Sequence, residues 1–466
     1  MTLSVLTDAQ IQGLLEGMTV QELLEFQANL KAALHEYSTS TQSTIHMPER
    51  TSMFNVATGT NTLFMPSSSS AGSGVKAVVT LSAADADRNA ELPVVRPTGA
   101  VTLFSPLGEP VGILHASTLT AFRTALASLC LVGKRAQVKT LTVFGCGEQA
   151  YWHVRLALML RGSTIRQVNF VNRRFGPSCS AILKRFYSVG ASVKAREGWT
   201  ECTFGVLTPG YGEYERLLEK QVLAADIIFC CTPSTEPVFK GSWLTSHDAR
   251  RKGRLIVAIG SYTPQMREIP IDVLMQAVKP HERGHRHFHK HVIEGGAIVV
   301  DTLDGALKEA GELIEAGLEP TQLVELGELV MLHNIAATEA AAEEEVAPET
   351  ASVTSFSSDP SGDMEKLTIS SGRSALSNVF GSSGSRSSSP AGIRAPSFPF
   401  HRRSSSLGSV DRQKKKKEKE DAMAKWLEGG NVIYKSVGLG LMDLTVGTYM
   451  VKFAREKGVG SHVEGF

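Results

Sequence analysis

The stretch TLTVFGCGEQA, residues 140–150, decides how this chain folds. A β-type run, TLTVF, passes without a linker into Gly145 and Gly147 and then into the helical run QAYWHVRLALML. Glycine-rich turns are common, so the pattern alone carries little. Its place between a strand and a helix, with a second strand QVNFV after the helix, marks a dinucleotide-binding βαβ unit. Gly145 permits a tight turn, Gly147 lets the backbone approach a pyrophosphate, and Ala150 keeps the helix close to the sheet. Glu148 and Gln149 complete the candidate phosphate-binding turn, at a helix N-terminus that favours negative charge.

Working outward, ADIIFCC, RLIVAIG and AIVVD continue the alternation of strand-like and helical runs as far as Asp301. That rhythm predicts a Rossmann-type, doubly wound parallel sheet, and hence an α/β fold. At the end of the second strand an acidic residue would hold the ribose 2'-hydroxyl of NAD. Asn172, Arg173 and Arg174 stand there instead. Guanidinium groups at that point suit a 2'-phosphate, so the expected cofactor is NADPH, with NADH as the alternative. Thr232, directly after ADIIFCC, completes the candidate cofactor set.

The rest of the chain supplies a second unit. Leucines recur at helical spacing over residues 1–37, with Thr7 or Asp8 as a cap, and short β-type runs such as VKAVVTL and AVTLFSP follow from Arg50 to Leu114. STLTAFRTALASLCLVGKR reads as a helix with Ser117 as N-cap and Gly133 at its stop. The chain is expected to divide into an N-terminal part of an α+β substrate domain (1–116), the Rossmann domain (117–305) and a helical return (306–340). A serine-, proline- and charge-rich insertion (341–424), read as disordered, precedes a C-terminal helix that completes the substrate domain (425–466).

Composition narrows the function. At 466 residues with 42% hydrophobic content the chain can bury more than one core, and a net charge of +1 gives no basic field for nucleic acid or an anionic membrane. No stretch is long and apolar enough to span a bilayer and no leader pattern opens the chain, so a cytoplasmic enzyme with a small-molecule partner is expected. Cys130, Cys146, Cys179, Cys202, Cys230 and Cys231 lack zinc-site spacing and read as reduced, mostly buried thiols. The histidines in PHERGHRHFHKH, residues 280–291, have no spaced acidic or cysteine partner, so no metal site is assigned. The run Lys414 to Lys417, flanked by Glu418, Glu420 and Asp421, reads as a solvated charge block.

Several ordered blocks resemble the ornithine cyclodeaminase and mu-crystallin family: LTAFRTALAS, FGCGEQAYWH, NRR, ADIIFCCTPSTEPVF, VAIGSYTP followed by RE, VDTLDGALKEAGEL, LVELGELV and YKSVGLGLMD. The resemblance implies a substrate domain beside a Rossmann domain, a homodimer, and an amino or imino acid substrate. It further implies that basic residues at Arg50, Lys76 and Arg123 hold the substrate carboxylate. Where cyclodeaminases carry an aspartate two residues before a proline, this chain has Tyr262 in IGSYTP. A phenol is a poor base near neutral pH. The departure therefore points to the mu-crystallin-like ketimine reductases, and to NADPH-dependent reduction of a pyrroline- or piperideine-2-carboxylate. The alternatives are an ornithine cyclodeaminase or amino acid dehydrogenase, and a dinucleotide-dependent binding protein without turnover.

Overall fold

The computed structural model describes residues 2–40, 44–81, 98–278, 296–332 and 423–466. Nearly all of the expected insertion 341–424, the basic run within it and the histidine-rich stretch lie outside the described residues. Among the described residues are fifteen strands in two sheets.

The first sheet has seven strands: β1 (Thr2–Leu6), β2 (Thr51–Asn55), β3 (Thr60–Ser69), β4 (Gly72–Leu81), β5 (Thr98–Phe104), β6 (Pro110–His115) and β15 (Ser461–Glu464). Their order is β15-β1-β6-β5-β4-β3-β2, and β1 against β6 is the parallel pair in an otherwise antiparallel sheet. The opening residues, read above as part of a helical region, form β1, whose Leu3, Ser4 and Leu6 are buried. Thr7 then starts the helix Asp8–Glu16 through a capping box with Gln10, and Thr19 repeats the device with Glu22 for the helix Val20–Thr39. Leu15, Leu23, Leu30 and Leu34 face the core, whereas Leu24 is exposed.

The second sheet is parallel throughout and has eight strands: β7 (Thr140–Phe144), β8 (Gln167–Val171), β9 (Thr203–Leu207), β10 (Ile227–Cys230), β11 (Leu255–Ala258), β12 (Ala297–Val300), β13 (Leu323–Glu325) and β14 (Val432–Lys435). The order β13-β12-β14-β11-β10-β7-β8-β9 is a doubly wound arrangement, with β7 and β10 side by side where the winding reverses. Several of its central strands, among them IIFC, LIVA and AIVV, are buried along their whole length, as a sheet covered on both faces requires.

The ends of the chain contribute to both sheets. Residues 432–435, read from sequence with the returning helix, form β14 and insert between β11 and β12. The run VIYK has the β-branched and aromatic side chains that fit a central strand, and burial on both faces overrides any helical reading. β13 joins the same sheet beside β12. The helix Gly440–Glu456 does return to the first sheet and packs against the helix Val20–Thr39, β3 and β4. The helix Ala116–Val132 is capped by the His115 ring, not by Ser117, and is buried along almost its whole length between the two units. All six cysteines are free thiols, and Cys130, Cys146, Cys179 and Cys230 are buried.

Candidate active site

The glycine-rich turn lies at the point where the winding reverses. Gly145 has φ 103°, and a Cβ there would sit 2.9 Å from the carbonyl oxygen of Cys231, so the conformation and the close approach both require glycine. Gly147 is the N-cap of the helix Glu148–Arg161 and offers no side-chain acceptor to its first turn; the space where its Cβ would stand is open. Those first-turn N–H groups are therefore free to meet an anion. A cavity of about 490 Å3 opens here, lined among others by Val78, Thr120, Gly147, Gln149, Arg185 and Cys231. The side-chain oxygens of Gln149 and Thr120 are buried and have no protein partner among the described residues.

Glu148 is engaged elsewhere. Its carboxylate takes Arg185 Nη1 at 2.7 and 2.9 Å, while Arg185 also donates to Glu16 at 3.0 Å and lies 3.3 Å from the centroid of the Tyr151 ring. Beneath the turn, the buried His153 ring contacts the Gln149 carbonyl at 2.7 Å and Ser128 Oγ at 2.9 Å. Burial pulls its pKa down to about 4, so the ring is neutral and its Nδ1–H donates to that carbonyl.

At the end of β8 the Asn172 amide donates to the Arg174 carbonyl at 2.9 Å and touches Cys179 Sγ at 3.3 Å. The Cys179 thiol in turn meets Cys146 Sγ at 3.6 Å, which joins this loop to the glycine-rich turn. Arg173 and Arg174 are exposed, and neither guanidinium has a protein partner among the described residues.

Thr232, at the end of β10, is held by a residue the sequence reading did not single out. The buried Glu268 carboxylate accepts from Thr232 N at 2.6 Å and Thr232 Oγ1 at 3.1 Å with one oxygen. With the other it accepts from Gly260 N at 2.7 Å and Ser261 N at 3.2 Å. One carboxylate thereby fastens the loops after β10 and β11 together. Burial raises its pKa, while the Lys435 ammonium and the backbone donors oppose the rise. Lys435, at the end of β14, donates to Ser261 and pairs with Glu312 at 3.2 Å, all three fully buried.

Tyr262 follows directly. It is mostly buried, hydrogen-bonds the Thr80 side chain and lies near Arg50; burial raises the pKa of its phenol. Arg50, Lys76 and Arg123 do converge, but each already has an anionic partner. Lys76 Nζ lies 2.6 Å from Asp443 Oδ2, and Arg123 Nε donates to Asp443 Oδ1 at 3.1 Å. Arg50 forms an ion pair with Glu309 and donates to the Val437 carbonyl at 3.3 Å. Desolvation, with Arg123 and Arg50 close by, pulls Lys76 down to about 8, and desolvation lowers Arg50 to about 10.

Asp301 closes the floor of this region. Its Oδ2 accepts from Ser436 Oγ at 2.8 Å, Val437 N at 3.0 Å and Gly438 N at 2.7 Å, which fixes the loop between β14 and the last helix. Burial nevertheless raises its pKa. A second cavity of about 210 Å3, lined by Arg50, Thr302, Glu309, Val437 and Gly438 among others, opens on that loop. Asp301, Glu309 and Asp443 fall within the sequence blocks VDTLDGALKEAGEL and YKSVGLGLMD, but the pairing of Glu309 with Arg50 and of Asp443 with Lys76 and Arg123 is a tertiary fact. Among the described residues no His, Cys, Asp and Glu cluster could hold a metal ion, and no helix is long and apolar enough to cross a membrane.

Residues 11–197 match the ornithine cyclodeaminase/mu-crystallin family. An uncharacterized protein of Saccharomyces cerevisiae is 26% identical over 354 residues, covering 71% of this chain and 87% of that protein. Ketimine reductase mu-crystallin of Mus musculus is 25% identical over 234 residues, 50% of this chain and 58% of that protein. Among solved structures, Thermococcus litoralis Delta(1)-pyrroline-2-carboxylate reductase in complex with NADH and L-proline superposes with a TM-score of 0.57 at 18% identity. That superposition covers 99% of this chain and all of the other.

Proposed function

We propose that this chain is a member of the ornithine cyclodeaminase/mu-crystallin superfamily and reduces a cyclic imino acid of the pyrroline- or piperideine-2-carboxylate type to the cyclic amino acid with NADPH. The observation that carries the reading is the convergence of Arg50, Lys76 and Arg123 beside Tyr262, which stands where a cyclodeaminase would carry its aspartate. The relatives named for ketimine and pyrroline-2-carboxylate reduction support the substrate class.

The residues fit a nicotinamide dinucleotide. Gly145 cannot carry a side chain, Gly147 leaves the helix start open, and Arg173 and Arg174 stand free at the end of β8 for a 2'-phosphate. Bound NADPH supplies the hydride. The chain's part is to bind and orient: Lys76 and Arg123 supply the charge that holds the substrate carboxylate, and Arg50 adds a further cation. Tyr262 remains a protonated phenol, because burial raises its pKa, and so donates a hydrogen bond without acting as a base. A protonated imine is already electrophilic, which is why its reduction needs no strong base.

As partner we propose a second copy of the chain. β2 is an edge strand whose residues are all exposed, Met53 at 59% and Phe54 at 54%, and such an edge is ordinarily covered. Sedimentation of the purified protein tests this, and a monomer at micromolar concentration contradicts it. For the activity, NADPH absorbance is followed against a panel of cyclic imino acids and oxo acids. Oxidation with the imino acids and no ammonia release from ornithine are expected; robust deamination of ornithine would overturn the assignment in favour of a cyclodeaminase.

A further inference from the structure

The helix Glu148–Arg161 opens with an acid in its first turn, while Gly147 at its N-cap offers no side chain to the free N–H groups. A carboxylate left loose at that place would oppose a phosphate in two ways: it would repel the incoming anion, and it would be drawn to the same donors. Glu148 is not loose. Arg185, from the last turn of the helix Pro177–Ser188, gives its Nη1 to both carboxylate oxygens, at 2.7 and 2.9 Å.

Arg185 is itself held in place. Its Nη2 donates at 3.0 Å to Oε1 of Glu16, the last residue of the helix Asp8–Glu16, and its guanidinium carbon lies 3.3 Å from the centroid of the Tyr151 ring. The Tyr151 hydroxyl donates to the same Glu16 oxygen at 3.4 Å, so ring, guanidinium and carboxylate form one packed group. Arg185 and Glu148 both line the cavity of about 490 Å3, together with Gly147, Gln149 and Ser178. Their side chains are 23% and 50% exposed, so solvent screens the pair in part, and its value lies in where it keeps the carboxylate.

We propose that Arg185 is a positioning residue for the dinucleotide: it holds and neutralises the Glu148 carboxylate, and so keeps the helix start open to the pyrophosphate. This rests on the reading of the glycine-rich turn as a nicotinamide dinucleotide site. Without Arg185, Glu16 and Glu148 would lose the cation they share. A guanidinium suits the task because its fork is planar and its charge does not titrate near neutral pH. The effect falls on the pyrophosphate, which NADPH and NADH have in common, and is separate from the choice that Arg173 and Arg174 make at the 2'-phosphate.

The test is a cycle of full chains: wild type, Arg185→Gln, Glu148→Gln and the double variant, each titrated by calorimetry with NADPH and with NADH. Arg185→Gln should lower the affinity for both cofactors by the same factor, about tenfold, because an unpaired carboxylate then stands beside the phosphates. In the Glu148→Gln background no carboxylate is left to hold, and the same change should lower affinity by no more than about twofold. The tenfold gap between wild type and Arg185→Gln should also narrow as salt rises.

A merely structural role, or a direct contact between Arg185 and the cofactor, would produce the same loss in both backgrounds. That result would overturn the proposal, and so would an unchanged affinity in Arg185→Gln. Arg185→Lys keeps the charge and carries the test should the glutamine variant fail to fold: its smaller loss, about threefold, should likewise vanish beside Glu148→Gln. A wild type that binds neither cofactor removes the dinucleotide reading and the proposal with it. A wild type that binds them without coupling between Arg185 and Glu148 removes the proposal alone.

Discussion

The sharpest consequence of the site concerns the choice between NADPH and NADH, and the perturbation is the double variant Arg173→Ala, Arg174→Ala. Both side chains are exposed and have no protein partner among the described residues, so their removal breaks no internal bond. The loop itself stays anchored, because Asn172 holds the Arg174 carbonyl at 2.9 Å and Cys179 holds the loop from beneath. Solvent screening limits what an exposed guanidinium contributes to a phosphate, so each is assigned a several-fold effect. The pair should then prefer NADPH by about tenfold to a hundredfold over NADH. Titration calorimetry with both cofactors, at low and at high salt, reads the ratio. The variant should lose the preference while its NADH affinity stays the same, and the wild-type preference should shrink as salt rises. Equal affinities of the wild type for the two cofactors, or an unaltered ratio in the double variant, would refute the assignment of this loop to the 2'-phosphate.

Other consequences can be measured on the same protein. Arg123→Lys keeps the charge but loses the planar fork, and should lower kcat/KM by about tenfold to a hundredfold with NADPH affinity unchanged. In Gly438→Ala a methyl group would press on Arg123 Nη1 and Nη2 from a residue whose φ is 87°, so the guanidinium should be displaced and imino acid reduction should fall while NADPH still binds; a normal kcat/KM would show that the placement of Arg123 does not matter to the reaction. His153 is buried and neutral, with a folded pKa of about 4 against an ordinary value of 6.5. The unfolded chain therefore binds the extra proton first, and stability should fall as pH drops from about 6.5 toward 4, by at most about 3 kcal/mol for this group. Urea unfolding across that range checks it, and the loss should be smaller in His153→Gln.

How much of this could be read before folding depended on the range of the forces involved. The βαβ unit was legible because Gly145, Gly147 and the flanking runs act within a few residues of one another, and their spacing is itself the mechanism of the turn. β14 was not legible as part of the parallel sheet: VIYK stands beyond residues 333–422, next to a helical pattern, and only its lodging between β11 and β12 makes it a strand of the second domain. The same distance hid the anions. Basic residues at Arg50, Lys76 and Arg123 stand out in sequence because a buried cation needs a reason, and a substrate carboxylate offers one. Asp443 and Glu309 offer another, visible only when the last helix and the segment after β12 are folded against the first sheet. For Arg123 the internal partners are close on both edges: Asp443 takes Nε, and the Gly438 backbone stands in front of Nη1 and Nη2. For Arg50 the two explanations compete, because Glu309 engages both Nε and Nη2. In the proposed clamp a substrate carboxylate could recruit Arg50 only by sharing it with Glu309 or displacing that residue. Glu309→Gln would release Arg50 and should tighten L-proline binding; weaker binding would mean that Glu309 holds Arg50 in the orientation the clamp needs.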